Sequence, residues 1–480
     1  FGGFSAANGP NWPDFEVDLD GDGQPDGQTD VVANNNQDAE AAVDNGIPTP
    51  PINPSSQPAN IVVQGVQGTV NGVHYDSIID WSNIPAGMNP LNSFFVFLNN
   101  GGKMGYFKID TDVAAPFQVN GVLCHIPGPC LIRFTFAPTA PGSYEQALNA
   151  RWRSEGSTQW NDVKILLRGK AYERLTAFTP GDGGGAIVRY WYPRLNQLNQ
   201  FFTQPENFRG GARVAVADFN GDNVLDIAVV PGPGEAEPKV KIYHGPDMQL
   251  IREFNAGYTA SLRTGLYVAA CDLDNDQKAE LVFGAGEGGA AHISIKKADG
   301  TNFREPFYAF EQSSTVGARV ACGDVNGDGH PDIIAGAGEG GAPRVRIFNI
   351  ADTTVLADQY AGSQSDRSGV TVGFGYFDPT SANGRVLTGN AGRVIAFKVE
   401  NNQMVPVFNF VPYGNFNGNV STRAMFLNND WILDIMTGAL KGGGPRVRLL
   451  DLFNLASIGD FNAFEETFRG CVRLGTVKNS

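Results

Sequence analysis

Residues 318–348 read ARVACGDVNGDGHPDIIAGAGEGGAPRVRIF, and this stretch decides the fold. A short apolar run leads into a loop of alternating carboxylates. A second apolar run, a glycine stretch and a strand that alternates Val with Arg follow. Close relatives are RVAVADFNGDNVLDIAVVPGPGEAEPKVKIY at 213–243 and YVAACDLDNDQKAELVFGAGEGGAAHISI at 267–295. From Thr176 onward the apolar run, the glycines and the alternating strand occur six times, and three copies carry the carboxylate loop. The central residue of the alternating strand falls at Val188, Val240, Ile293, Val345, Val394 and Val447. The spacing of about 50 residues is that of a four-stranded propeller blade.

Six alternating strands imply six blades. The array begins in mid-blade, because Leu175–Phe178 and Ile187–Trp191 have no first strand before them. FRGCVRLGT at 468–476 aligns with FRGGARVAV at 208–216, so the last segment is expected to complete the blade that the first segment starts. Such closure removes exposed sheet edges. The run Val214–Ala217 suits an inner strand buried on both faces, and Pro343–Phe348 alternates as a strand with one wet face should. Helical spacing is absent over any long window, so the chain reads as all-β.

The chain has 480 residues, with 60 Gly and 29 Pro to serve many turns, and a net charge of −15. That charge argues against nucleic acid and anionic membranes as partners, since both need clustered cations. No apolar run is long enough to span a bilayer. Cys124 and Cys130 bracket HIPGP closely enough to bridge, which points to an oxidising compartment. Cys271, Cys322 and Cys471 fall on expected inner strands and read as small buried hydrophobes.

Asp324, Asn326, Asp328 and Asp332 occupy positions 1, 3, 5 and 9 of DVNGDGHPD, with the His330 carbonyl at position 7. Oxygens on every second residue can wrap one hard cation, and calcium takes roughly six to eight oxygens. Without a cation the carboxylates repel one another. The same spacing recurs as Asp218, Asn220, Asp222, Val224, Asp226 and as Asp272, Asp274, Asp276, Lys278, Glu280. In the fifth copy Asp378 stands alone before PTSANGR, and in the sixth Phe426 replaces the first carboxylate ahead of Asn428, Asp430 and Asp434. Those two loops are expected to hold no metal. A fourth candidate lies outside the array at DLDGDGQPD, with Asp18, Asp20, Asp22, the Gln24 carbonyl and Asp26.

These residues resemble the FG-GAP repeats of integrin α-subunit propellers and of bacterial surface proteins, over roughly residues 172–477. GAGEGGAPRVRIF and GALKGGGPRVRLL are similar to the glycine hairpins of the secreted bacterial form. The resemblance implies a calcium-braced propeller used in adhesion or assembly, with some members acting as lectins. Six copies and a C-terminal closing strand depart from the integrin pattern, so integrin ligand specificity does not carry over.

Residues 1–57 are rich in Asn, Pro, Gly and Asp and cannot bury a core alone. They are expected to form an extended arm that can add a strand to a neighbouring copy. Residues 58–171 change to about seven strands separated by turns, as in a β-sandwich. The stretch Ile132, Phe136, Pro138, Gly142, Tyr144, Leu167, Gly169 and Ala171 is similar to choice-of-anchor immunoglobulin-like domains. Residues 172–480 hold the six-bladed array.

None of the five His residues pairs with another at metal-ligand spacing, and no nucleophile-elbow or phosphate-loop motif occurs. No enzyme is expected. Arg189, Lys241, Arg346, Arg393, Arg446 and Arg448 could read an anionic sugar, but pairing with nearby Asp and Glu is the simpler role. The sequence therefore predicts a secreted or cell-surface structural protein, partnered by itself or by other surface proteins. A carbohydrate-binding lectin is the alternative and a polysaccharide-active enzyme a third reading.

Overall fold

The computed structural model describes residues 61–63, 66–87, 91–99, 105–120, 123–126, 130–154, 156–192, 197–234, 236–377, 383–427, 433–452 and 454–476. The arm and its Asp18–Asp26 loop lie outside these residues, as do the side chains of Cys124 and Cys130. Every described element is a β-strand, which makes the fold all-β. Two compact units meet in the chain between Tyr172 and Glu173. No helix is long and apolar enough to cross a membrane.

The first unit contains β1 (Ile61–Val63), β2 (Val66–Val70), β3 (Val73–Pro85), β4 (Leu91–Asn99) and β5 (Gly105–Ile109). It continues with β6 (Phe117–Asn120), β7 (Leu123–Ile126), β8 (Cys130–Phe136), β9 (Gly142–Ser154) and β10 (Asn161–Tyr172). These make one sheet of order β1-β4-β8-β6 and another of order β2-β3-β10-β9-β5-β7. The described residues of the unit form ten strands where about seven were expected, because several strands are only three to five residues long and leave little periodic signal. One core fills the space between the sheets, with Phe134 and Phe136 from one and Trp81, Phe107, Leu148, Ile165 and Leu167 from the other. Fully burying a side chain of this size contributes roughly 1.5–3 kcal/mol. Gly169 lies where a Cβ would meet the Phe136 ring at 2.6 Å, so the close approach of β10 to that ring requires glycine.

The second unit opens with β11 (Thr176–Pro180), β12 (Ile187–Tyr192) and β13 (Gln197–Phe202). Next come β14 (Ala212–Ala217), β15 (Asp226–Pro231), β16 (Lys239–Tyr243) and β17 (Leu250–Asn255), then β18 (Leu266–Cys271), β19 (Glu280–Ala285), β20 (His292–Lys296) and β21 (Asn302–Tyr308). They are followed by β22 (Ala318–Gly323), β23 (Asp332–Ala337), β24 (Arg344–Phe348), β25 (Val355–Tyr360), β26 (Thr371–Gly375), β27 (Arg385–Asn390), β28 (Arg393–Glu400) and β29 (Gln403–Phe410). The chain ends with β30 (Val420–Met425), β31 (Asp434–Ala439), β32 (Arg446–Leu450), β33 (Ser457–Asn462) and β34 (Val472–Thr476). Five antiparallel sheets each use four consecutive strands, and the sixth has the order β13-β12-β11-β34. In that sheet Thr176 pairs with Thr476 and Pro180 with Val472.

First strands pack side by side in the order β14, β18, β22, β26, β30, β34 and back to β14. Alternation along each one serves both neighbours. In β18, Leu266 and Val268 pack with Ala215 and Ala217, while Tyr267 and Cys271 pack with Ala318, Val320 and Cys322. Burial on both faces accounts for the unbroken apolar runs. The six central residues of the third strands, from Val188 to Val447, are all fully buried.

Two of the cysteines depart from the expectation of plain core packing. Cys271 and Cys322 form a disulfide, with Cα atoms 6.2 Å apart, that ties β18 to β22. In the ladders Cys271 is opposite Glu280 and Gly323 is opposite Asp332, so Gly323, not Cys322, is the counterpart of Cys271. A step of one residue turns Cys322 to the other face of its strand, where it meets Cys271. Cys471 is buried and free.

Candidate metal centres

Each carboxylate loop joins a first strand to a second, β14 to β15, β18 to β19 and β22 to β23. The last acid of each loop opens its second strand and is nearly inaccessible: Asp226 and Asp332 are 0% exposed and Glu280 is 2%. Its carboxylate accepts the backbone N–H of the second loop residue. These bonds run from Phe219 to Asp226 at 3.3 Å, Leu273 to Glu280 at 2.8 Å and Val325 to Asp332 at 3.2 Å. The acid at position 9 is therefore a closing pin for the loop as well as a metal-ligand candidate, a role that spacing alone did not reveal. Asp434 plays the same part in the sixth sheet, accepting from Leu427 N–H at 3.0 Å although Phe426 has replaced the first acid.

The first acid organises the turn. Asp324 accepts from Gly327 N–H at 2.6 Å and Gly329 N–H at 2.9 Å, and Asp218 accepts from Gly221 and Asn223 N–H, both at 2.7 Å. Asp272 likewise accepts from Asp276 and Gln277 N–H at 3.0 Å. The N–H groups at position 7, on Val224, Lys278 and His330, donate to the position-5 carboxylates Asp222, Asp276 and Asp328 at 2.8–2.9 Å. In the first and third loops the position-3 amides of Asn220 and Asn326 donate to Asp222 and Asp328 at 2.9 Å.

The second loop gathers three acids: single carboxylate oxygens of Asp272, Asp274 and Asp276 lie within 4.8 Å of one another. Lys297 Nζ sits 2.8 Å from Asp274 and supplies part of the missing charge. The electrostatics favour an added cation. Burial, with repulsion from neighbouring loop acids, pushes Asp226, Glu280 and Asp332 up to about 7 despite the backbone hydrogen bonds they accept. Oxygen-only donors of this kind suit a hard divalent ion, which would stabilise the ionised acids.

The fifth loop needs a correction. Gly375 pairs with Arg385 as Gly323 pairs with Asp332, so Tyr376 and Arg385, not Asp378 and its followers, occupy the first and last loop positions. That loop is one residue longer than the others, which displaced the sequence alignment. Asp378, Asn428 and Asp430 lie outside the described residues.

The alternating-strand cations do more than pair with acids. Lys241 Nζ donates to the Thr203 carbonyl at 2.8 Å, Arg189 to Ala463 at 2.6 Å, Arg346 to Ala309 at 2.9 Å and Arg448 to Pro412 at 2.5 Å. Each acceptor follows the outer strand of an adjoining sheet, so these cations fasten sheet to sheet. Arg446 and Arg448 also pair with Asp460, and Arg346 with Asp358. Arg393 donates to the Asn409 side chain.

Residues 262–335 match the model of the FG-GAP-like repeat, a span that holds the second and third carboxylate loops. Integrin alpha-V of Gallus gallus is 30% identical over 156 residues, which are 29% of this chain and 15% of that protein. The chain thus spans a small part of that relative's length. Among solved structures, apo AztD from Citrobacter koseri is 9% identical over 64% of this chain and 99% of its own, with a TM-score of 0.35. PapD-like domain 7 of human CEP192 is 12% identical over 23% of this chain and 84% of its own, with a TM-score of 0.19. Likeness at that level carries no weight for either unit. The chain carries FG-GAP-like repeats, in phase with its carboxylate loops.

Proposed function

We propose that the second unit is a six-bladed, calcium-braced β-propeller, the first an immunoglobulin-like sandwich, and the whole a non-catalytic extracellular protein of adhesion or surface assembly. The observation that carries this reading is the triplet of carboxylate loops in phase with the sheets, with three Asp oxygens gathered in the second. Asp218, Asn220, Asp222 and Asp226 would hold one ion. Asp272, Asp274, Asp276 and Glu280 would hold another, and Asp324, Asn326, Asp328 and Asp332 a third, with the carbonyls of Val224, Lys278 and His330 adding one ligand each. Calcium would neutralise the gathered carboxylates and brace each loop by joining its ligands, while the loop's own hydrogen bonds order the turn. Support for the ring comes from the cyclic packing of first strands and the pairing of β34 with β11. For the sandwich it comes from two sheets sharing one core and from Tyr144 Oη donating to the Ala140 carbonyl at 2.8 Å.

An oxidising exterior is supported by the Cys271–Cys322 bond and by the FG-GAP-like repeats. The partners would be further copies of the chain or other surface proteins. The sugar-reading alternative is weakened, since four of the six cations it needs, Arg189, Lys241, Arg346 and Arg448, are engaged by carbonyls of adjoining sheets. Light scattering and electron microscopy with calcium, then with chelator, test the assembly role, while equilibrium dialysis counts ions. Calcium-dependent polymers with at least three ions per chain are expected. A chain that binds no more calcium than a variant lacking Asp218, Asp272 and Asp324 defeats the metal reading, and a calcium-loaded monomer without protein partners defeats the assembly reading.

A further inference from the structure

Equivalent positions near the start of the first strands form a set of their own: Arg213, Tyr267, Arg319, Thr371, Ser421 and Arg473. Four lie two residues after a glycine held at φ of 67–72°, and Arg473 lies two after Cys471, which takes the same conformation at 73°. Five of the six strands thus enter through the same backbone turn, and at all six positions the side chain is buried or nearly so. Three guanidinium groups converge on one aromatic ring, with Arg213, Arg319 and Arg473 at 4.5, 5.9 and 5.1 Å from the Tyr267 centroid. Arg213 is 4% exposed and Arg319 7%.

Acidic partners are too few. Glu287 accepts from Arg319 at 2.8 and 3.1 Å and from Tyr267 Oη at 2.7 Å. Arg213 reaches Asp182 at 3.4 Å, and that carboxylate is 54% exposed. Glu339, in the loop equivalent to that of Glu287, pairs with Lys441 at 2.8 Å on the surface. Four buried nitrogens keep no hydrogen-bond partner among the described residues: Nε and Nη1 of Arg213, Nη1 of Arg319 and Nε of Arg473. Further along the axis Arg423 adds a fourth cation, held by the Val372 and Thr422 carbonyls at 3.2 and 2.8 Å. It lines a cavity of about 80 Å³ with the small residues Ala215, Ala269, Ala321, Gly373 and Gly475.

Buried donors with this surplus of positive charge require an acceptor. Guanidinium forks match the paired oxygens of carboxylate and phosphate groups. We propose that Arg213, Arg319 and Arg473, seated around Tyr267, form an axial binding site for a small oxyanion carrying a carboxylate or phosphate group. The site uses none of the loop acids and stands whether or not those loops hold calcium.

Thermal shift and titration calorimetry of the full chain test it, with inorganic phosphate and acetate as separate probes against sodium chloride at equal ionic strength. A saturable rise in Tm with at least one probe, absent with chloride, is the expected result, and the better probe identifies the class of ligand. Arg319→Gln should weaken that probe about tenfold, since the charge-assisted hydrogen bond offered by Nη1 is lost. Should that variant not fold, Glu287→Gln serves instead. It removes the carboxylate competing for Arg319, keeps an acceptor for Tyr267, and should tighten the probe about tenfold. Wild-type protein with no saturable response overturns the proposal, as does a Glu287→Gln protein whose affinity is unchanged.

Discussion

Replacing Cys271 and Cys322 together by Ala tests the fastening of β18 to β22. The bond closes a loop with a sequence separation of 51 residues. In the chain-entropy treatment, closing a loop of that length removes about 14 cal/mol/K from the unfolded state, or about 4 kcal/mol at 25 °C. The two sheets already pack against each other through Tyr267, Val320 and Ile333, so the native contacts survive the substitution and the loss is felt in the unfolded ensemble. Urea unfolding of wild type and double variant in calcium should show a drop of about 4 kcal/mol, with a larger m-value for the variant because its unfolded chain is less constrained. Alkylation gives a second check. Without reductant, unfolding should release Cys471 but neither Cys271 nor Cys322, and Cys471 should resist labelling in the folded protein, where it is 4% exposed. Equal stability of the two proteins, or alkylation of Cys271 and Cys322 without reductant, would refute the reasoning.

The closing pin and the titration of the loop acids offer two further checks. Asp434→Ala leaves Leu427 N–H without its acceptor and should cost about 1–3 kcal/mol in urea unfolding while leaving calcium stoichiometry unchanged, since Phe426 already breaks that loop's ligand set. A fall in stoichiometry would show that the sixth loop binds metal after all. In calcium-free protein, Asp226, Glu280 and Asp332 are pushed up to about 7, chiefly by burial. The folded state then binds more protons than the unfolded one between the ordinary carboxylate range and about pH 7, so their contribution to stability falls as pH rises through that window. Asp332→Asn removes one such group, and its urea midpoint in chelator should decline less between pH 5 and 7.5 than that of wild type. A steeper decline would contradict the assigned shift.

Much of the architecture is legible along the chain because strand alternation and loop spacing are local properties. The runs at Val214–Ala217 and Ala318–Gly323 announce strands buried on both faces, and the acids at 324–332 announce a turn wrapped around oxygen donors. The fifth loop shows where this legibility ends. Its extra residue can only be placed by the ladder that sets Gly375 opposite Arg385, and register is a property of two strands, not one. The edge strands of the first unit escaped for a similar reason, as three to five residues carry too little period to identify.

The sequence by itself determined the all-β character, the recurrence of about 50 residues and the phase of the carboxylate loops, since each follows from residues near one another in the chain. Only the tertiary structure decided which distant residues meet. It brought Cys271 to Cys322 through a single step of strand alternation. It also turned four of the alternating-strand cations onto carbonyls of adjoining sheets, and gathered Arg213, Arg319 and Arg473 around Tyr267 from three separate sheets. Those contacts depend on the packing of one sheet against the next, which no local pattern encodes.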